Sequence, residues 1–175
     1  MIYAIVAADE SWGIGYNNKL LCSIQGDLKR FRALTKNNIV VMGKNTFKSI
    51  GSIPLPERIN IVITHDCSSP IKDENGVIYM NMDNVIGYLY HHKHPYDFPI
   101  INIFIIGGES IYKQLLNYCD YVLLTRIKKT FKEADTFFPN IDENPQWEIT
   151  DRVTPRLCGD IPWEFITYKR VEYND

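Results

Sequence analysis

A single acid, Asp27, sits in the stretch LLCSIQGDLKRF (residues 20–31), ahead of Lys29, Arg30 and Arg32. The spacing predicts a helix over 27–35 that places Asp27, Phe31 and Leu34 at i, i+4 and i+7 on one face, with Leu28 beside them. The carboxylate then leans toward the apolar side. On the helix alone two readings stand: an acid that only complements the helix macrodipole, worth about 0.3–1 kcal/mol, or an acid held for a ligand. A second kind of chemistry is written in FIIGGESIY (residues 104–112), an apolar strand passing through Gly107 and Gly108 into a helix start. Such a junction leaves backbone N–H groups and the positive helix end open to an anion, with no side chain in the way. VMGKNTF (residues 41–47) repeats the arrangement and adds Lys44 and Thr46, a charge and a hydroxyl suited to phosphate. Each junction by itself is equally a plain structural turn. Two together imply a long ligand with more than one phosphate group. Neither contains G-x-G-x-x-G or G-x-x-x-x-G-K-[ST], so the standard dinucleotide fingerprint and phosphoryl transfer on a P-loop find no support.

Metal chemistry is not expected. HHKH (residues 91–94) lies in a Pro-flanked segment without i, i+4 histidine spacing or an orienting carboxylate, which predicts a solvated surface loop over 91–99. Cys22, Cys67, Cys119 and Cys158 are far apart with no C-x-x-C pair, so free and mostly buried thiols are expected.

The elements that must position these residues are legible as apolar runs. IYAIVAA after Met1, IVVMG from Ile39, INIVIT from Ile59, GVIYM from Gly76, INIFII from Ile101, YVLLTRI from Tyr121 and WEFITYKRV from Trp163 read as strands. Several lack alternation, as strands covered on both faces do. Helical patterns fall at 27–35, 45–50, 82–91 and 109–117. Strand and helix alternate until about Leu116, after which only strands remain. This predicts an α/β fold, its sheet largely parallel and finished by a C-terminal antiparallel hairpin. Residues 67–75 (CSSPIKDEN) read as a surface loop.

At 175 residues the chain suits a single domain, 1–175, with a sizeable core. A formal charge of −2 gives no electrostatic reason to expect nucleic acid. No apolar run approaches the roughly 20 residues of a membrane span, and MIYAIVAA runs into Asp9 and Glu10 without a basic flank, unlike a signal peptide. A cytoplasmic monomer that handles small molecules is expected.

The ordered set IVAADESWGIGYNNKL, Asp27 with Phe31, VMGKNTFKSIG, PLPERINIVIT, FIIGGESIYKQLL, LLTRI and DTFFP resembles the dihydrofolate reductase family along nearly the whole chain. The resemblance implies a central mixed, mostly parallel eight-stranded sheet with about four flanking helices. It also implies reduction of 7,8-dihydrofolate to tetrahydrofolate by hydride transfer from NADPH, in support of one-carbon metabolism. By the resemblance Asp27 is the ionisable group of the pterin pocket, accepting hydrogen bonds from the 2-amino group and N3 and favouring protonation at N5. Its pKa is then expected to be perturbed. Ile5 and Val6 correspond to the first strand, whose backbone faces the pterin, and Ile106 to its counterpart. Leu28, Phe31 and Ile50 line the pterin and aminobenzoyl ring, Arg58 pairs with the α-carboxylate of the glutamate tail, and Thr125 fixes Asp27. For the cofactor, Ala7, Ile14, Gly15, Asn18, Lys19 and Leu20 correspond to the nicotinamide side. Gly43, Lys44, Asn45 and Thr46, with Ile106, Gly107, Gly108, Glu109, Ser110, Ile111 and Tyr112, correspond to the phosphate side, and the Gly107-Gly108 peptide is cis in the family. Thr64 and His65 correspond to the adenosine side, where Lys44 and His65 would favour NADPH over NADH.

The chain departs from the family pattern at Leu20-Leu21-Cys22, where Leu-Pro-Trp is usual, which bears on loop closure over the nicotinamide. Ile53 is an extra residue before PLP. Two rival readings remain: a riboflavin-pathway pyrimidine reductase, whose substrate has no glutamate tail for Arg58, and a non-catalytic pteridine or nucleotide-binding protein.

Overall fold

Strand β1 (Ile2–Ala8) alternates its side chains between two apolar clusters, so it must lie inside a sheet covered on both faces. Ile2, Ala4, Val6 and Ala8 enter the larger cluster, Ile5 the smaller, and Tyr3 packs against the latter. The computed structural model describes residues 1–93, 101–153 and 156–171 of the chain. Along it follow β2 (Gly13–Tyr16), β3 (Lys19–Leu20), α1 (Gln25–Thr35), β4 (Ile39–Gly43), α2 (Lys44–Ser49) and β5 (Ile59–Ile63). Then come β6 (Ile71–Lys72), β7 (Ile78–Met80), α3 (Met82–Lys93), β8 (Ile103–Ile105), α4 (Glu109–Leu115) and β9 (Tyr121–Ile127). The chain ends in β10 (Thr136–Phe137), β11 (Trp147–Arg152), β12 (Arg156–Cys158) and β13 (Ile161–Arg170).

The main sheet runs β11-β13-β9-β1-β8-β4-β5-β7-β6, with β12 paired to β13. Six neighbours, β9, β1, β8, β4, β5 and β7, are parallel; β6, β11, β12 and β13 pair antiparallel. The expected eight strands form its body, and the short β6 and β12 bring the sheet to ten. A separate three-stranded sheet, β10-β2-β3, holds the segment after β1. Its β2–β3 turn uses Asn17 and Asn18 at φ +49° and +58°, the two-residue geometry that Asn tolerates. Strands β2, β3, β6, β10, β11 and β12 were not legible in the sequence, because they are short or exposed and carry little apolar signal.

Helix bounds move by a turn or less. α1 begins at Gln25, two residues before Asp27, and its inward stripe is Asp27, Phe31 and Thr35, leaving Leu34 36% exposed instead of buried. The continuous α4 expected over 109–117 ends at Leu115 and tightens into a 3-10 turn, Leu116–Tyr118. α3 carries on through His91 and His92, which the loop reading missed, and Tyr88 stacks on His92 one turn away. Residues 94–99 of that expected loop lie outside the described residues. All four cysteines are free thiols, but only Cys67 and Cys119 are buried; Cys22 and Cys158 are half-buried.

Candidate active site

In the parallel sheet every strand ends on the same edge, and ligands of such sheets bind outside the carboxyl ends. That edge gathers Ala7 of β1, Gly43 ending β4, Thr64 after β5, Ile106 to Gly108 after β8, and Thr125 of β9. Asp27 reaches it from α1. The Thr125 hydroxyl donates to Asp27 Oδ1 at 2.5 Å across 98 residues of sequence. Thr125 lies opposite Ala7 in the β1–β9 ladder, so the carboxylate stands beside the end of β1. An acid serving only the helix dipole would face solvent at the helix end; this one is tied to a buried strand. Burial raises the Asp27 carboxyl from its ordinary value, while the Thr125 hydrogen bond and the Arg30 charge pull it back.

Apolar side chains share the carboxylate's face of the sheet. Phe31, Ile106 and Leu55 pack against the cluster that holds Ile5, Phe104 and Leu123, while Leu28 (44%) and Ile50 (37%) stay exposed. Val6 faces the opposite cluster, so only its backbone is on the Asp27 side. Arg58 leans back on α1: its NH1 donates to Thr35 Oγ1 at 3.0 Å, its Nε to the Pro56 carbonyl at 2.9 Å, and its guanidinium lies 5.9 Å from the Phe31 ring centre. It makes no ion pair among the described residues. A guanidinium so held, without a carboxylate of its own, suits an incoming one.

The phosphate-type junctions meet. The backbone of Gly43 donates to the Gly107 carbonyl at 2.8 Å, and that of Ile106 to the Val41 carbonyl at 2.9 Å. The Gly107-Gly108 peptide is cis. A Cβ on Gly107, at φ +102°, would stand 2.8 Å from the Tyr112 ring; one on Gly43 would stand 3.0 Å from Ile111, and one on Gly108 3.4 Å from Thr46 Oγ1. Glycine at 107 is required by its positive φ and the close approach of Tyr112, and at 43 a Cβ would crowd Ile111. Helices α2 and α4 start at Gly43 and Gly108 with no side-chain cap, so their first N–H groups remain available. This cradle fits the pyrophosphate of a dinucleotide. Ile111 and Tyr112 form its floor rather than its lining; the Tyr112 hydroxyl, pushed up strongly by burial, donates to the Ile5 carbonyl at 2.7 Å and ties the floor to β1. Glu109 is taken up by Lys113 at 2.5 Å and the Phe137 N–H at 3.1 Å, and Ser110 Oγ by the Gln114 amide at 3.0 Å.

The loop residues divide. Asn18 lines a cleft of about 150 Å³ with Asn45, Lys48 and Ser49 of α2, which brings the β2–β3 turn against the phosphate junction. Gly15 and Ile14 are anchored in the small sheet, and Lys19 and Leu20 are exposed. Thr64 is buried and His65 exposed at the end of β5.

Sequence reasoning passed over several residues. Asp9, fully buried, accepts from the N–H groups of Ser11, Gly13 and Phe131 at 2.9, 2.7 and 2.8 Å, pinning the segment after β1. Arg126 stacks 3.9 Å from the Trp12 ring, donates to the Asp9 carbonyl at 3.1 Å and pairs with Asp142 at 3.0 Å. Asp66 takes both Lys44 and Thr64. An acid two residues after Thr64 was the available signal. Cys22 lies in a third apolar cluster with Ile24, Ile127 and Trp163, and the indole of Trp163 covers Gly26 so closely that a Cβ there would stand 2.7 Å away. The indole of this corner therefore comes from β13.

Together the parallel-sheet edge, the glycine cradle and the half-buried acid make an α/β site able to take a phosphate-bearing ligand beside a polar ring edge. The profile of the dihydrofolate reductase family matches residues 1–170. A dihydrofolate reductase of Heliothis virescens is 31% identical, covering 95% of this chain and 96% of its own length. That of Bacillus subtilis is also 31% identical, covering 97% and 95%. A bifunctional dihydrofolate reductase-thymidylate synthase of Glycine max is 35% identical over 95% of this chain, which spans 33% of that relative's length. The solved dihydrofolate reductase from Enterococcus faecalis, complexed with NADP(H) and RAB-propyl, superposes with a TM-score of 0.81 at 34% identity, covering 98% of this chain and 97% of that one. The chain belongs to the dihydrofolate reductase family. Its activity is the family's NADPH-dependent reduction of dihydrofolate.

Proposed function

We propose that Asp27 is the catalytic carboxylate of this reductase and that the carboxyl edge of the sheet divides into a pterin side and a cofactor side. The observation that carries the assignment is the Thr125–Asp27 hydrogen bond, which places a half-buried carboxylate beside the end of β1. On the pterin side Asp27 accepts N–H groups of the ring edge, held by Thr125, with Ile5, Leu28, Phe31, Ile50 and Ile106 as apolar walls and the Val6 backbone alongside. Its charge favours a proton on the ring nitrogen next to the carbon that is reduced. Arg58 holds the carboxylate of the substrate's tail.

On the cofactor side Gly43, Asn45, Thr46, Gly107, Gly108 and the N–H groups beyond them hold the pyrophosphate, with Glu109, Ser110, Ile111 and Tyr112 shaping the cradle. Ala7, Ile14, Gly15, Asn18, Lys19 and Leu20 enclose the nicotinamide, and Lys44, Thr64 and His65 meet the adenosine end. When bound, NADPH supplies the hydride. The chain is read as one domain, a monomer and cytoplasmic; a main sheet built from strands along the whole described chain supports the single domain.

The test is loss of 340 nm absorbance when purified protein meets NADPH and dihydrofolate, with NADH in parallel and Asp27→Asn as comparison. Dihydrofolate-dependent decay that the variant loses supports the assignment. Decay at the parent's rate in Asp27→Asn overturns the role of Asp27, and tight binding of both ligands without any decay returns the reading to a binding protein.

A further inference from the structure

The adenosine end carries an acid that the cofactor assignment leaves unexplained. Asp66 sits in the exposed turn after β5, and its Oδ2 accepts from Lys44 Nζ at 2.7 Å and from Thr64 Oγ1 at 3.0 Å. Its own N–H donates back to Thr64 Oγ1 at 3.2 Å. Lys44 and Thr64 follow the carboxyl ends of adjacent parallel strands, whose last pair is Gly43 with Ile63. One carboxylate oxygen thus occupies both the cation and the hydroxyl that a phosphate at this corner would use.

The two ligands it must tell apart differ in chemistry. A ribose 2′-hydroxyl can donate to a carboxylate, whereas a 2′-phosphate is repelled by it and needs cations. We propose that Asp66 is a specificity-determining residue: it competes with the cofactor's 2′-phosphate for Lys44 and Thr64 and so narrows the enzyme's preference for NADPH over NADH. This rests on the assignment of Lys44, Thr64 and His65 to the adenosine end. Lys44 and Thr64 hold the Asp66 carboxyl below its ordinary value, so the competitor is ionised at neutral pH. Because the pair is solvent-exposed, the competition is a matter of degree and is screened by salt.

Dissociation constants for NADP⁺ and NAD⁺, measured by titration calorimetry without substrate, test the proposal in the parent, Asp66→Asn, Asp66→Ser and Lys44→Met. Removing the acid in either variant is expected to tighten NADP⁺ about tenfold, leave NAD⁺ unchanged or weaker, and steepen the salt dependence of NADP⁺ binding. Lys44→Met is expected to weaken NADP⁺ alone. Should Lys44→Met lower the NADP⁺/NAD⁺ preference while both Asp66 variants leave it unchanged, the role of Asp66 is overturned and the site assignment stands. Should Lys44→Met leave the preference unchanged, the 2′-phosphate binds elsewhere and both fall.

Discussion

Asp27 keeps an ionisable group where its charge is disfavoured, and this has consequences for stability as well as rate. Its folded-state pKa is raised, so the folded chain holds the proton more tightly than the unfolded one. The resulting loss of stability is absent below the unfolded pKa near 3.8 and complete above the raised folded value. Asp27→Asn is therefore expected to be more stable than the parent at pH 7, with the gap closing on acidification; urea unfolding from pH 3 to pH 8 measures it. The same variant is expected to lose roughly a hundredfold to ten-thousandfold in kcat/KM at neutral pH. Thr125 acts on the reaction through Asp27. A hydrogen bond to a charged group is worth about 1.5–3 kcal/mol, so Thr125→Val is expected to reduce kcat/KM about tenfold or more and to move the acid's titration upward in the pH–rate profile. Thr125→Ser, which keeps the donor, should restore both.

At the scale of elements, two junctions and one helix decide the site. Gly107 has φ +102° and no room for a Cβ beside Tyr112, so Gly107→Ala is expected to destabilise the fold by about 1–3 kcal/mol and to abolish tight NADP⁺ binding. Thermal unfolding and calorimetry read the two effects separately. Helix α1 presents Asp27, Phe31 and Thr35 inward, and Thr35 in turn orients Arg58. Arg58→Leu is expected to raise KM for dihydrofolate about tenfold to a hundredfold while binding of a pterin without a glutamate tail stays unchanged, since only the tail carboxylate is lost to it.

Across the whole molecule, the proposed substrate and cofactor sites lie along one edge of one sheet, so ligand binding and folding are linked. NADP⁺ at one hundred times its Kd is expected to add about 2.7 kcal/mol to the unfolding free energy, measured by denaturant unfolding with and without it. The segment between β1 and α1 is held by residues distant in sequence, by Asp9 accepting from Phe131 and by Arg126, which also pairs with Asp142. Tyr168, pushed up to about 12 chiefly by burial, donates to the same Asp142 at 2.5 Å. The proposed nicotinamide side therefore depends on residues more than a hundred positions away in sequence.

Strand β1, the glycine junctions and the acid on an apolar helix face were all readable in order along the chain, because unbroken apolar runs and Gly-Gly before a helix are local signals. The resemblance already paired Thr125 with Asp27, and the structure supplies the hydrogen bond; tertiary structure alone decided that the Val6 side chain turns away from the Asp27 side, that Ile111 and Tyr112 are floor, and that Asp66 occupies Lys44. Each of these depends on which strands are neighbours and on their register. A parallel ladder such as β1 with β9 joins residues more than a hundred positions apart, and no local pattern records that pairing.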